Sequence, residues 1–233
     1  MDANEVEVAA KTHAKLIRNE VAREMIECPV GNDEEPPITI LMAGAPGAGK
    51  TEASKEMLRD FNILRLDPDD LRSRFPQYDG GNSSLFQGAV SLVVERVFDK
   101  LVKSRKSFLL DGTSANLNKT RSNIARAVRA GRHVRLWYVY QDPALSWTFV
   151  EAREKTEGRG IPLEAFVDQY FNSRFVVREM KEEFGDELYV DVLVKDLDQD
   201  ETKYYEDVAS VDDVCPSSRT RDELREILNQ KEA

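Results

Sequence analysis

Ile38-Thr39-Ile40-Leu41-Met42-Ala43 leads directly into Gly44-Ala45-Pro46-Gly47-Ala48-Gly49-Lys50-Thr51, and this stretch decides the fold. The first six residues form an apolar run of strand length. The next eight are a complete G-x-x-x-x-G-K-T, in which glycines let backbone N–H groups wrap a phosphate and Lys50 supplies a cation to the β/γ oxygens. The Thr51 hydroxyl is the expected Mg²⁺ ligand. Glu52 to Arg59 are good helix formers, so the loop opens a helix whose positive N-terminus favours an anion. A strand, a phosphate loop and a helix in that order start a parallel α/β sheet.

Outward from this stretch the pattern alternates between strands and helices. Asn62 to Leu66, Ser107 to Asp111, His133 to Tyr140 and Leu188 to Val194 read as strands. Between them, helical spacing runs through Leu85, Ala89, Leu92, Val93, Val97 and Leu101, then over Lys119 to Ala130, Pro143 to Thr156 and Pro162 to Phe184. This alternation predicts a mostly parallel sheet with helices on both faces. Upstream, Val6, Ala10, Ala14, Ile17, Val21 and Met25 make one stripe of a docking helix. Pro29 to Pro37 combine breakers with charge and read as a linker. The expected division is 1–37 for helix and linker, 38–195 for the core, and 196–233 for an acidic segment with a short helix opened by Thr220 and Glu223 at capping-box spacing. His13 lies beside the first stripe and reads as a packing or surface residue.

Composition narrows the function. The 233 residues suit one core, and a formal net charge of −10 argues against a broad nucleic-acid surface while leaving room for one phosphorylated ligand. Only Cys28 and Cys215 occur, which fits a reducing compartment without structural zinc. The acidic start Met1-Asp2-Ala3-Asn4-Glu5 and the lack of a long apolar run predict a cytoplasmic protein with no membrane segment.

In open α/β sheets ligands collect beyond the carboxyl ends of the strands, so residues just past each strand are read for chemistry. Asp111 ends an apolar strand, where a carboxylate could orient Mg²⁺, hold an acceptor, or simply cap a turn. Asp67 before Pro68 reads as a helix cap followed by proline at the first helical position. Asp69 is then the carboxylate placed to accept a proton from an alcohol receiving a phosphoryl group, since Asp70 points about 100° further round the helix. Arg153 and the glycine-flanked Arg159 in Glu157-Gly158-Arg159-Gly160-Ile161-Pro162 read as a lid bringing cations to the transferring group.

Taken together, these segments resemble the zeta toxin family of P-loop kinases. The likeness is carried by Gly44 to Thr51, Leu66-Asp67-Pro68-Asp69-Asp70-Leu71-Arg72 with Pro76-Gln77-Tyr78, and Leu110-Asp111-Gly112-Thr113. It continues through Val139 to Trp147, Arg153 and Gly158 to Pro162, covering about Ile38 to Phe184. The resemblance implies a P-loop kinase fold and transfer of the γ-phosphoryl of ATP or GTP, with Mg²⁺, to a hydroxyl of a nucleotide sugar such as UDP-N-acetylglucosamine. It implies Asp69 as base, Lys50 and Arg159 flanking the phosphoryl, Arg153 adding charge, and Thr113 and Glu95 at the acceptor, with an antitoxin protein as partner. Two positions depart from the pattern. Where some members carry Glu-Gly-Thr followed two residues later by arginine, this chain has Asp111-Gly112-Thr113-Ser114-Ala115; where some carry a proline-adjacent histidine, it has Phe75. Both fall in the acceptor region. Rival readings are an antibiotic- or polynucleotide-end kinase on the same scaffold, and a slow NTPase switch that signals through a partner.

Overall fold

A computed structural model describes residues 2–31, 35–158, 160–196, 201–216 and 219–231. Arg159 lies outside the described residues. The chain runs α1 (Ala3–Glu27), β1 (Ile38–Ala43), α2 (Lys50–Met57), β2 (Leu64–Leu66), α3 (Pro68–Arg72), α4 (Ser83–Val102) and β3 (Phe108–Leu110). It continues with α5 (Leu117–Arg129), β4 (His133–Tyr140), α6 (Pro143–Glu157), α7 (Leu163–Phe184), β5 (Tyr189–Asp196), β6 (Glu201–Tyr205) and α8 (Arg221–Lys231).

The strands form one sheet in the order β2-β3-β1-β4-β5-β6. Five are parallel, and β6 closes the edge by running antiparallel to β5. The parallel strands are buried on both faces, so they read as continuous apolar runs rather than alternating ones. β1 is the central strand, with Ile40 opposite Leu109 on one side and Arg135 on the other. Because all parallel strands end on the same rim, the residues after β1, β2, β3, β4 and β5 are brought together there.

β6 departs from the sequence reading, which placed an acidic segment with no strand at these positions. Its residues Glu201, Thr202, Lys203 and Tyr204 are exposed, so no apolar run marks them. Pairing with β5 alone makes the strand, and it extends the sheet past residue 195.

The N-terminal stripe does what its spacing implies. Ala10, Ala14 and Val21 are buried, Val6, Ile17 and Met25 pack against the core, and α1 lies along α4. Alanines at the contact let the two helix axes approach closely. The start of α1 is fixed by a capping box in which Asp2 and Glu5 each satisfy the other's backbone N–H. α4 is buried on more than one side, between α1 and the sheet, with Phe98 set edge-on to Phe108 of β3 at 5.4 Å. α7 packs across β1, β4 and β5.

Candidate active site

The phosphate loop sits at the end of β1 in the geometry its glycines require. Gly47 has φ +73°, and a Cβ there would lie 2.1 Å from the Ser146 carbonyl oxygen of α6, so only glycine lets the loop pass this close to that helix. Lys50 opens α2 and folds back over the loop, donating from Nζ to the carbonyl oxygens of Gly44 (3.0 Å) and Ala45 (2.6 Å). Burial lowers its pKa to about 8; the Asp111 carboxylate opposes the shift, while the Arg153 guanidinium and the Lys195 ammonium add to it. Arg153 of α6 is thus close enough for its charge to act on Lys50.

On the other side of β1, β3 delivers Asp111, which is 6% exposed. Its Oδ2 lies 3.4 Å from Thr51 Oγ1. The two oxygens come from residues 60 apart in sequence and meet only because β3 pairs directly with β1. The segment after Asp111 is fastened to the same strand: the Thr113 carbonyl accepts from the Gly44 N–H (3.2 Å), and the Ser114 hydroxyl donates to the Met42 carbonyl (2.7 Å). Thr113 is thus placed against the first glycine of the loop. One carboxylate and one hydroxyl make a hard-oxygen set of the kind Mg²⁺ accepts together with phosphate and water. Among the described residues no group of three or more His, Cys, Asp or Glu gathers to hold a metal ion by itself.

The turn after β2 supplies the remaining carboxylates. Asp67 caps α3, accepting from the Asp69 N–H at 2.8 Å, with Pro68 in the first helical turn. That frees Asp69 from the capping role, and its carboxylate pairs with the Arg72 guanidinium one turn on. Asp70 is largely in solvent, with its side chain 75% exposed.

Arg65, in the middle of β2, joins these groups. Its Nη2 donates to Asp111 Oδ2 at 2.7 Å and to Asp67, while Nη1 stands 3.6 Å from Asp70. Burial pulls the Arg65 pKa down, and the carboxylates, Asp111 first, more than offset it, so the guanidinium is held charged. No motif marks Arg65 in the sequence, although a lone arginine between two leucines of a buried strand is a signal of carboxylates nearby. Nor does one mark Lys195, which ends the apolar run of β5 and donates to the Gly49 carbonyl at 3.0 Å.

Above the rim, α6 ends at Gly158 in the left-handed region, and this turn lies against Gly81 in the loop before α4. The C-cap of α6 therefore lies beside the loop before α4. Glu95 is engaged elsewhere. It sits well down α4 and pairs with Arg126 in the last turn of α5 at 2.6 Å, where Asp99 and Asn123 share the same guanidinium. Phe75 is buried against His13 and Phe86, and His13 Nε2 lies 3.2 Å from the Arg74 carbonyl, so both serve packing between α1 and the α3–α4 segment.

A glycine-lysine-threonine loop at the end of the central strand, in a sheet ordered β2-β3-β1-β4-β5, defines a P-loop kinase fold. The profile of one family within that fold, Zeta toxin, matches residues 23–209, and the chain belongs to it. The solved structures point the same way. A structure from the PezAT chromosomal toxin–antitoxin system of the human pathogen Streptococcus pneumoniae superposes with a TM-score of 0.67 at 18% identity, covering 94% of this chain and 95% of that one. The AvrRxo1-ORF1:-ORF2 complex with ATP gives 0.57 at 14% identity, covering 96% of this chain and 71% of that one. The Pnkp1/Rnl/Hen1 RNA repair complex gives 0.52 at 17% identity over 81% and 54%. A comparison with curated proteins gives no match. No helix among the described residues is long and apolar enough to cross a membrane.

Proposed function

We propose that this protein transfers the γ-phosphoryl group of ATP or GTP to a hydroxyl of a nucleotide sugar resembling UDP-N-acetylglucosamine. The observation that carries the reading is the meeting of Thr51 and Asp111 at 3.4 Å, with the Lys50 cradle on one side and Asp69 on the other. Backbone N–H groups of the loop between Pro46 and Thr51 bind the β- and γ-phosphates, and Lys50 leaves the loop carbonyls to meet them. Thr51 and Asp111 would hold Mg²⁺, which when bound neutralises charge on the phosphate oxygens. Asp69, paired with Arg72 in the free protein, orients the acceptor hydroxyl and takes its proton. Arg153, with Arg159 of the lid turn, supplies guanidinium groups to the oxygens of the transferring group. Thr113 lines the acceptor side; Glu95, paired with Arg126 in the free protein, is left out of this reading.

Family membership supports the acceptor class, and the toxin–antitoxin neighbours support an antitoxin protein as partner. The test is to offer γ-labelled ATP and GTP separately with panels of nucleotide sugars, nucleotides and oligonucleotides, and to identify the labelled product. Label on a nucleotide-sugar hydroxyl is expected. Label on an oligonucleotide end would move the protein to the polynucleotide kinases, and phosphate release without any labelled acceptor would make it an NTPase switch.

A further inference from the structure

Lys195 stands at the end of β5, one residue beyond the last β4–β5 partners, Tyr140 and Val194. Its Nζ donates to the carbonyl of Gly49, the residue that caps α2. A Cβ at Gly49 would lie 2.2 Å from that ammonium, so the last glycine of the loop makes room for the lysine as well as for the turn. This is a costly place for a cation. The N-terminus of α2 carries partial positive charge, Lys50 is already there, and the Lys195 charge pushes the Lys50 pKa down. Burial lowers the pKa of Lys195 itself, and only the Glu52 and Glu56 carboxylates act the other way. A second ammonium held against its own helix dipole becomes favourable when an anion fills the loop.

The strand order says which part of the anion it meets. Asp69 and Asp111 follow β2 and β3, on one side of β1, whereas Lys195 lies near the C-terminal end of β5, on the other. A γ-phosphoryl aimed at the acceptor leaves the opposite end of the phosphate chain toward β5.

We propose that Lys195 is a donor-positioning residue that binds the α-phosphate of the nucleotide from the β5 side; this rests on the nucleotide-binding reading above. The alternative is a strut joining β5 to the loop through Gly49. Lys195→Gln separates the two, because the amide still offers the Gly49 carbonyl an N–H but carries no charge. Titration calorimetry with ADP and with ATP is expected to show a loss of affinity of about tenfold or more for both in Lys195→Gln, since a charged hydrogen bond is stronger than a neutral one. Lys195→Arg should stay within about threefold of the parent, because it keeps the charge. Normal ADP binding by Lys195→Gln would overturn the proposal, and a loss confined to ATP would overturn the α-phosphate assignment. In the unmodified protein, saturating ADP should suppress acylation of Lys195 by an amine-reactive reagent; an unprotected Lys195 would likewise overturn it. If the unmodified protein bound none of ADP, ATP, GDP and GTP, the phosphate-loop reading itself would fall.

Discussion

On the proposed function, the donor half and the acceptor half of this site are built by different means. From Gly44 to Thr51 the binding groups are mostly backbone N–H, and their aim is fixed by glycine conformations and by the start of α2. From Asp67 to Arg72 and at Asp111 the working groups are side chains from β2, α3 and β3, held by the guanidiniums of Arg65 and Arg72. A backbone cradle is written in local spacing and tolerates little change. A carboxylate and arginine network can be retuned by single substitutions without disturbing the sheet.

The sharpest break of that comparison is Lys50→Met. In the donor half it should abolish measurable nucleotide binding in calorimetry, a loss of about 100-fold or more, as for other preorganised charge-stabilising groups. The same change should leave the free protein as stable as before or about 1 kcal/mol more stable at pH 7, because it removes a buried ammonium crowded by Arg153. A lower melting temperature would mean that the bonds to Gly44 and Ala45 outweigh that crowding.

Asp69→Asn tests the acceptor half at nearly constant shape. Phosphoryl transfer should fall by about 10² to 10⁴, the usual contribution of a positioned general base, with ATP affinity within about twofold of the parent. Transfer at the parental rate would remove Asp69 from the chemistry and turn attention to Asp111.

Acidity separates the halves more gently. Lys50 has a folded-state pKa of about 8 against 10.5 for the free side chain. Between those values the unfolded chain binds the extra proton, so stability of the free protein should rise with pH from about 8 to 10.5. Nucleotide binding should do the reverse, because phosphates need the charged form. Affinity should be flat below pH 8 and fall up to about tenfold per unit above it. Lys50→Arg should flatten both profiles, and an unchanged alkaline loss of affinity in that variant would assign it to another group.

How much of this could be read from the chain follows the same division. The loop from Gly44 to Thr51, the Asp67 cap and Asp111 all lie where an apolar run stops, and reading the residue after each strand located them. That rule applied to Val194 points to Lys195 as well, but the acidic stretch beyond it drew the boundary there instead. β6 was hidden because its pairing with β5 comes from tertiary context and its faces are polar. Arg65 was hidden for another reason: its partners Asp111 and Asp70 come from different elements, and no spacing encodes which strand lies beside β2. Glu95 is the converse case. The family pattern suggested the acceptor, yet the descent of α4 from the rim carries residue 95 down to the end of α5.

Glu95→Gln should therefore have the smallest effect. The carboxylate shares Arg126 with Asp99 and Asn123 and is about half exposed. Losing it leaves the guanidinium still partnered, so the cost in stability should stay within about 1 kcal/mol, as for other partly exposed ion pairs. Because α4 places this pair away from the rim that carries Asp69 and Asp111, the acceptor KM and the transfer rate should both remain within about twofold of the parent. Asp99→Asn should behave the same way, and the double change should cost more than the sum, since Arg126 would then lose both carboxylates. A selective rise in acceptor KM in Glu95→Gln, absent in Asp99→Asn, would instead extend the acceptor half down α4 and require the Arg126 pair to open when substrate binds.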